Sequence, residues 1–502
     1  MVVVTSEPFE GDAMVTDSTK LRRRQKLQSS AVLLRRHTCA EVALCLCVGC
    51  ARRRGQLIVS RSGHQRECKA NFPATIHRGL NVEAVDGSLQ GIDEKYVARC
   101  LLVKPSQVVT WSVRRALAAG ENFASCILRV RAQLAGRPRP TSFIVKRLPE
   151  EVEGSDGSGG MRQIVQEVGM WQREVDAYCT VIPAIEKLVG CKLTPALLPG
   201  PDPSDICLED LRESGFNPAD RRRMLDFEHS VVALEALAKF HAGSVAARQI
   251  HKKGKSVEEE LFFKESRRKA AEDFMRAPFL YLAQDLLNSS CHRPELQKYI
   301  GPLRHLGDKI FDMLIQVSKP LGPFNVLNHG DFWTNNILFR HDTVTGEVLE
   351  AKIIDFQNCR YTTPALDLQY FLMSSVNEHV RETLSNELVD CYLQALNKQL
   401  LALGLPTLQK DVLERDMAAT ECYSLYCATA VLATVINDPG DFYCGATVPS
   451  NMDSLNPFVK CMRASSYRRM VPRLLEWFDR RGVFDNNYWP PVFNTANDGI
   501  LA

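Results

Sequence analysis

The stretch NHGDFWTNNILF, Asn328 to Phe339, decides the fold together with IIDFQ, Ile353 to Gln357. The first segment places Asp331 two residues after a histidine and five residues before Asn336, and the second ends an apolar run with Asp355. A folded core does not require this ordered set, because buried polar groups cost free energy unless they are paired. Carboxylate and amide oxygens are ligands that magnesium prefers, so the pattern predicts a site for a magnesium-bound phosphate.

The residues between the two segments predict a hairpin. NNILFR has the character of a short strand, HDTVTGE that of a turn, and VLEAKIIDF that of a returning strand. This hairpin brings Asn336 close to Asp355 and leaves Asp331 on a loop at its mouth. Asp and Asn are also common in turns and at strand ends, so one such residue alone would be uninformative. The ordered set is the specific signal.

Length and composition fit an ordinary globular protein. The 502 residues are 45% hydrophobic, with a formal net charge of +3 that favours no class of partner. The start of the chain is acidic and lacks the pattern of a secretory signal, so we expect the 17 cysteines to be mostly free thiols in a cytoplasmic protein. The longest apolar run near the N-terminus, Val42 to Ala51, is far shorter than the ~20 residues of a membrane span. We therefore expect no transmembrane segment.

Residues 1–90 differ from the rest of the chain. Residues 1–75 hold 13 Lys and Arg against 6 Asp and Glu, and no helical or strand periodicity stands out. We expect a basic, Cys-containing, disordered extension. Two alternatives stay open: a basic tail attracted to membrane or nucleic acid, and a zinc knuckle. The zinc candidates are His37, Cys39, Cys45, Cys47 and Cys50. For the chain as a whole we expect no nucleic-acid partner.

The globular pattern begins near Ile92. Ala124–Leu134 and Ser142–Leu148 predict a first hairpin, and Gly154–Gly160 predicts a flexible loop. A helix follows, and we expect it to break near Pro183.

A short strand at Asp205–Leu211 precedes a strongly helical segment in which Leu234, Leu237 and His241 share one face. After Pro364 the pattern is mainly helical to about residue 478. A small strand-rich part followed by a large helical part indicates the α+β class.

The segments HGDFWTNNILF and IIDFQNCRYTTPALDLQYF resemble the ecdysteroid kinase-like family, which is grouped with choline kinase-like and aminoglycoside phosphotransferase-like enzymes. The resemblance spans about residues 92–478 and is densest over 325–372. It implies a two-lobed protein kinase-like fold, with a small β-rich N-lobe and a large helical C-lobe. With the N-terminal extension at 1–90, we expect a nucleotide-binding N-lobe at 91–208, a catalytic and substrate-binding C-lobe at 209–480, and a tail at 481–502.

The resemblance implies a role for each polar residue of the two segments. Asp331 matches the catalytic base, and Asn336 and Asp355 match the magnesium ligands. His329 matches the residue that braces the catalytic loop. Asp367, in PALDL, matches a carboxylate that supports this loop, and an acid in the first turn of a helix is almost as good an explanation of it.

The same resemblance implies an ATP site. Lys146, at the end of FIVKRL, matches the lysine that holds the phosphates, and Glu174 matches the helix glutamate that holds the lysine. Taken singly, these would be a solvated strand lysine and an exposed helix charge. The implied phosphate loop comprises Gly120, Asn122 and Ser125. The implied adenine-binding connection contains Glu209 and Leu211.

These observations predict an ATP- and Mg²⁺-dependent phosphotransferase that acts on a hydroxyl of a small molecule. By resemblance the acceptor is an ecdysteroid or another lipophilic alcohol, and no obligatory protein partner is evident. Cys359 and Arg360 near the site either face the substrate or only pack. The alternative to an enzyme is a catalytically silent scaffold that binds nucleotide.

Overall fold

The computed structural model describes residues 91–116, 125–148, 165–166, 169–250, 268–289, 293–320, 322–437, 457–485 and 488. All of them belong to one compact unit that begins at residue 76. The predicted N-terminal extension with its zinc candidates, the predicted glycine-rich loop, and the site candidates Gly120 and Asn122 lie outside the described residues.

A four-stranded antiparallel sheet, in the order β1-β2-β3-β4, forms the first part of the described chain. Its strands are β1 Val108–Arg115, β2 Cys126–Leu134, β3 Thr141–Arg147 and β4 Ile206–Glu209. Every second residue of β2 is buried, because successive side chains of a strand point to opposite faces. The buried face packs with helix α1, Glu94–Cys100, whose N-terminus is capped by the carboxylate of Asp93.

The helix predicted after the first hairpin is not broken at Pro183. It consists of α2 Met170–Asp176, a π-helical turn Ala177–Val181, and α3 Ile182–Val189, with right-handed helical backbone at both junctions. Proline has no N–H to donate to the carbonyl four residues earlier. The widened turn directly before Pro183 accommodates this loss, so the chain stays helical where we expected a break.

The second predicted hairpin is present. Strands β7 Ile337–His341 and β8 Val348–Ile353 pair antiparallel, with Ile337 opposite Ile353, and the two-residue strand β5 Asn217–Pro218 extends them on the other edge of β7. A separate two-stranded ladder joins β6 Val326–Asn328 to β9 Arg360–Thr362. These two ladders bring together the polar residues that precede and follow the hairpin in the chain.

Helices dominate the remainder, as predicted. They are α4 Phe227–Ile250, α5 Arg268–Asn288, α6 Ile300–Ser318, α7 Ala365–Ser374, α8 Glu378–Ala402, α9 Lys410–Ala419, α10 Glu421–Tyr426, α11 Leu432–Ile436, α12 Pro457–Met462 and α13 Ser465–Asp479. A second π-helical turn, Cys427–Val431, joins α10 to α11. The mixed class, with a small antiparallel sheet and a large helical part, is confirmed, whereas the predicted domain boundaries stay predictions.

Two hydrophobic clusters border the polar segments. Phe332 and Phe356, both fully buried, belong to a cluster built around α4 and the β7–β8 hairpin. Tyr370 and Tyr423 belong to a second cluster formed by the helices from α5 onward. None of the ten cysteines that the structure describes forms a disulfide bond, in line with the expected reduced thiols.

Among the described residues, no single helix is both long and apolar enough to span a membrane. Lys410–Ala419 and Glu421–Ile436 satisfy that length and composition only when taken together, and they are bent by 52° relative to each other.

Candidate active site

The loop that carries Asp331 begins at a glycine that a larger residue could replace only with strain and a clash. Gly330 has φ of +79°, and a Cβ atom on it would lie 2.1 Å from the carbonyl oxygen of Asn358. A side chain here would therefore be strained by the backbone conformation and would also clash with the strand-to-strand connection. This close approach packs the loop against the segment that follows Asp355.

His329 links the loop to the end of β8. Its Nε2 lies 3.0 Å from the carbonyl oxygen of Ile354, and its Nδ1 accepts a hydrogen bond of 3.2 Å from the peptide N–H of Asp331. A carbonyl can only accept, so Nε2 carries the proton and the ring is neutral. Burial lowers the pKa of His329, which keeps the ring in this state.

Asp367 fixes the same loop from helix α7. Its carboxylate accepts from the peptide N–H groups of His329 at 2.6 Å and Gly330 at 2.8 Å, and from Nε2 of His241 at 3.1 Å. Burial alone would raise the pKa of Asp367, but these donors, with His241 first, hold it below its ordinary value. The carboxylate is fully buried and stays ionised. Asp367 is both an acid in a first helical turn and a direct support of the loop.

Lys146 joins the sheet to the polar segments. Its Nζ lies 2.8 and 2.6 Å from the two carboxylate oxygens of Glu174 on α2 and 2.9 Å from Oδ1 of Asp355. Lys146 and Glu174 are buried, so neither is the solvated charge that its local sequence would suggest. Burial by itself lowers the pKa of Lys146, but the two carboxylates outweigh it and raise the pKa, so the ammonium is charged. Removing one partner of such a buried pair typically costs about 3–5 kcal/mol.

Asp355 has a strained backbone. Its φ is +70°, a conformation that side-chain-bearing residues seldom adopt outside turns and functional sites. The neighbouring Ile354 donates its N–H to the carbonyl oxygen of Asn336 at 3.0 Å, so the end of β8 is tied to the start of β7. The carboxylate of Asp355 pairs with Lys146.

Asp331 is partly buried, and protein donors use both of its carboxylate oxygens. Oδ1 accepts from the hydroxyl of Tyr370 at 2.6 Å, and Oδ2 accepts from Nδ2 of Asn336 at 3.2 Å. Burial, together with the nearby charge of Asp355, raises the pKa of Asp331 to about 7 despite these hydrogen bonds. A carboxylate of this pKa can accept a proton close to neutral pH.

The donor set fits a magnesium ion. Asn336 uses its amide nitrogen to bind Asp331, through both the carboxylate and the carbonyl oxygen, which leaves its Oδ1 as a possible ligand. Asp355 commits Oδ1 to Lys146 and retains Oδ2. Both remaining groups are hard oxygen donors, and magnesium usually takes only one or two such ligands from a protein.

Three residues that the sequence predicts to bind the nucleotide lie in the four-stranded sheet or directly next to its strands. Ser125 is buried directly before β2. Glu209 ends β4 with its peptide N–H donated to Ala196, and Leu211 is buried in the first position of a 3₁₀ turn. The nucleotide roles of these three residues stay predictions.

Two residues of the site were missed as site residues in the sequence. His241 appeared only as one polar position on the apolar face of α4, yet it is fully buried between Asp367 and the hydroxyl of Tyr392. Tyr370 lies three residues after Asp367, one helical turn further along α7, and nothing in PALDLQYF distinguishes it from a core aromatic residue. The only signal in the sequence for either of these two site residues was a histidine on an otherwise apolar helix face.

A model of the ecdysteroid kinase-like family matches residues 119–405. No curated protein matches the chain. Similar solved structures include a choline kinase from Cryptosporidium parvum (11% identity, 78% of this chain and 93% of that chain, TM-score 0.38). Others are an ethanolamine kinase from Plasmodium vivax (10%, 74% and 86%, 0.36) and a choline/ethanolamine kinase family protein from Mesorhizobium loti (12%, 72% and 92%, 0.32). TM-scores this low support no conclusion by themselves.

Proposed function

Because the chain belongs to the ecdysteroid kinase-like family, and is on that basis a small-molecule kinase, we propose that it transfers the γ-phosphate of ATP, with Mg²⁺, to a hydroxyl of a lipophilic alcohol. Ecdysteroids are the first acceptors to test. The observation that carries the proposal is that the carboxylates of Glu174 and Asp355 both lie within hydrogen-bond distance of the ammonium of Lys146. A cytoplasmic location stays a prediction.

Asp331 would act on the acceptor. Its raised pKa lets the carboxylate orient the acceptor hydroxyl and take its proton as the new phosphate ester bond forms. Asn336 and Tyr370 hold the two oxygens of Asp331 in place, and His329 and Asp367 hold the loop itself. The hydrogen bonds of this chain therefore fix both the orientation of the base and the loop that carries it.

Lys146, Asn336 and Asp355 would bind the nucleotide. Lys146 has a charged ammonium, suited to phosphate oxygens, that lies between the carboxylates of Glu174 and Asp355. Asn336 and Asp355 would hold Mg²⁺ through oxygen atoms. When bound, the magnesium nucleotide supplies the phosphoryl group and neutralises the charge that develops on its oxygens.

The decisive experiment measures ADP and phosphate-ester formation by the purified chain with Mg²⁺ and ATP against ecdysteroids, other sterols and simple alcohols. Asp331→Asn should lower turnover by about 10²–10⁴-fold while leaving nucleotide binding largely intact, because the amide cannot accept the proton. Asp355→Ala should instead weaken magnesium nucleotide binding. Asp308→Asn, an exposed residue that pairs with Arg276, is the matched control and should change neither.

Each other outcome has a defined meaning. Normal turnover by Asp331→Asn would refute the assignment of the base. Unchanged nucleotide affinity in Asp355→Ala would mean that the metal site lies elsewhere. A thermal shift with magnesium nucleotide but no turnover of any alcohol would favour the alternative of a catalytically silent scaffold.

A further inference from the structure

Two of the ten described cysteines lie against each other at the four-stranded sheet. The sulfur atoms of Cys100, the last residue of α1, and Cys207, on β4, are 3.7 Å apart. Both side chains are buried, each with 1% of its surface exposed. The two residues are 107 positions apart in the chain, so only the fold brings them together. A disulfide bond holds its sulfur atoms about 2.05 Å apart, so these thiols are in contact but reduced.

The backbone and the packing hold Cys207 in place. It lies opposite Val145 in the ladder between β3 and β4, and its carbonyl oxygen accepts from the N–H of Leu198 at 2.8 Å. A Cβ atom on Gly200 would lie 2.8 Å from the sulfur of Cys207, so the sulfur occupies the space that the missing side chain leaves. Cys100, by contrast, lies on a helix of seven residues. A small shift of that helix, or a rotation of the Cys100 side chain, brings the sulfur atoms to bonding distance.

Polar neighbours make the two sulfur atoms unequal. The hydroxyl of Tyr96, also on α1, lies 3.2 Å from the sulfur of Cys207 and donates to Asp205 at 2.6 Å. Arg147 pairs with the same carboxylate at 2.8 Å. The hydrogen bond from the thiol of Cys100 lowers the pKa of Cys207 against the effect of burial, and the same bond raises the pKa of Cys100. Cys207 is therefore the sulfur that becomes a thiolate more readily, and the thiolate is the nucleophilic form of cysteine.

The proposed function does not account for this pair. The family match covers residues 119–405, so Cys207 lies inside it, whereas Cys100 and the whole of α1 lie before it. Neither cysteine has a role in the proposed phosphoryl transfer. The pair joins a helix that precedes the matched region to a strand within it.

We propose that Cys100 and Cys207 are a redox-sensitive pair, which hydrogen peroxide oxidises to a reversible disulfide bond that fastens α1 to the sheet. The thiolate of Cys207 attacks one oxygen of the peroxide, the O–O bond breaks, and a sulfenic acid forms. The second oxygen leaves as hydroxide and takes up the proton that Cys207 lost, which gives water. The thiol of Cys100 then attacks the sulfenic sulfur, the S–S bond forms, and the sulfenic oxygen leaves as a second water. The two thiols lose two electrons in all, and the peroxide gains them.

The bond should stabilise the folded chain. A small oxidant reaches a buried pair through local opening, and α1 is a short element that opens at a lower cost than the paired strands. Once formed, the bond closes the chain between residues 100 and 207 into a loop, which constrains the unfolded state. The oxidised chain should therefore resist heat better than the reduced chain. This inference stands independently of the proposed function.

The test treats the reduced full chain with hydrogen peroxide and then unfolds it in N-ethylmaleimide, which blocks the remaining thiols. Mass spectrometry of the digested chain identifies linked peptides before and after dithiothreitol. We expect peptides that contain Cys100 and Cys207 to be linked, and dithiothreitol to release them. The melting temperature of the oxidised chain should be about 2–8 °C higher than that of the reduced chain.

Three results would overturn the proposal. The first is that N-ethylmaleimide still labels Cys100 and Cys207 after a treatment that oxidises Cys179, which is exposed and so reports that the peroxide has reacted. The second is that the two residues become linked only when the chain is oxidised in urea. The third is that the bond forms in the folded chain without raising the melting temperature, which would refute the fastening of α1.

Variants assign the effect to this pair. Cys100→Ser and Cys207→Ser each remove one sulfur, so each should abolish the linked peptides and the rise in melting temperature. Cys461→Ser changes a buried cysteine on α12, far along the chain, and as the matched control it should leave both unchanged. A rise that persists in folded Cys100→Ser would show that another bond causes it and would overturn the role of the pair. If neither variant of the pair folds, the linked peptides of the wild-type chain still decide.

Discussion

At the scale of single residues, the candidate site depends on how its surroundings tune Asp331. A carboxylate in water is a weak base, because its pKa lies far below neutrality. Burial and the charge of Asp355 raise the pKa of Asp331 to about 7, whereas the hydrogen bonds from Tyr370 and Asn336 act in the opposite direction. Asp331 is thus half-ionised near neutral pH, and the hydrogen bond from Tyr370 favours the ionised form that accepts a proton.

The first prediction is the pH dependence of kcat/KM, which reports the ionisation of the free enzyme. Protonated Asp331 cannot accept a proton, so kcat/KM should fall as pH drops below about 7 and level off above it. Tyr370→Phe removes a hydrogen bond that lowers the pKa of Asp331, so the acidic limb should move to higher pH. Tyr299→Phe, whose hydroxyl binds the distant Asp479, is the control and should leave the profile in place. A profile of Tyr370→Phe that matches the wild type would contradict the assignment.

The second prediction concerns Gly330. Gly330→Ala combines a positive φ of +79° with a Cβ atom 2.1 Å from the carbonyl oxygen of Asn358. The strain and the clash together should lower the free energy of unfolding by about 2–5 kcal/mol and abolish turnover. Urea denaturation and ADP release measure the two effects.

Gly346 is a matched control for this substitution. Its φ is +77°, but a Cβ atom on it would meet no atom within 4 Å. Gly346→Ala should therefore show only the backbone strain, about 1–2 kcal/mol, and retain turnover. Equal losses of stability in the two variants would mean that the contact with Asn358 carries no weight.

At the scale of helices and strands, the site is a loop held by elements on several sides. Helix α7 contributes Asp367 and Tyr370 from adjacent turns, α4 contributes His241, and the β7–β8 hairpin contributes Asn336 and Asp355 through its start and end. A π-helical turn follows Glu174 on its helix, and another follows Tyr423 and Tyr426 on theirs. Such turns often occur at functional sites because they redirect side chains within a continuous helix.

The third prediction separates the two explanations of Asp367. Asp367→Asn leaves an amide N–H group facing the donors of His329, Gly330 or His241, so the loop should lose its support. We expect a loss of about 3 kcal/mol in the free energy of unfolding and at least about a tenfold loss of kcat.

Asp411 provides the comparison, because it is an exposed acid in the first turn of α9 with only the helix dipole to stabilise. Asp411→Asn should cost about 0.3–1 kcal/mol and leave kcat unchanged. If Asp367→Asn behaved like Asp411→Asn in both measurements, Asp367 would be no more than a favourable helix-end charge.

At the scale of the whole molecule, the sheet and the helical part share one ion cluster. Lys146 comes from β3, Glu174 from α2, and Asp355 from the end of β8, and the three meet in the interior of the described residues. The family match covers residues 119–405, so it includes all three and none of residues 1–90. Activity should therefore not depend on that extension.

The fourth prediction tests this independence. A chain that lacks residues 1–85 retains helix α1, which begins at Glu94, and every described strand. It should keep the kcat and the melting temperature of the full chain, because no residue of the proposed site lies in the deleted part. An unfolded or inactive truncated protein would show that residues 1–85 belong to the folded enzyme.

The sequence determined the parts of this protein that depend on nearby residues. The hairpin from Ile337 to Ile353 follows from alternating apolar residues around a turn, and the pairing of its strands is enough to bring Asn336 near Asp355. The α+β class follows from the change from strand to helix periodicity along the chain. The family follows from the short segments around Asp331 and Asp355, whose order and spacing are local properties.

Only the tertiary structure decided which distant groups meet and which lie in the interior. Lys146 and Asp355 are 209 residues apart, and His241 and Asp367 are 126 apart, so no local pattern could set their contacts. Glu174 and Arg360 are ionisable side chains wherever they lie, but burial in a low-dielectric interior makes the charge of each one depend on its partners. The sequence could therefore name the candidate groups, whereas their pKa values and their hydrogen bonds depend on the packed chain.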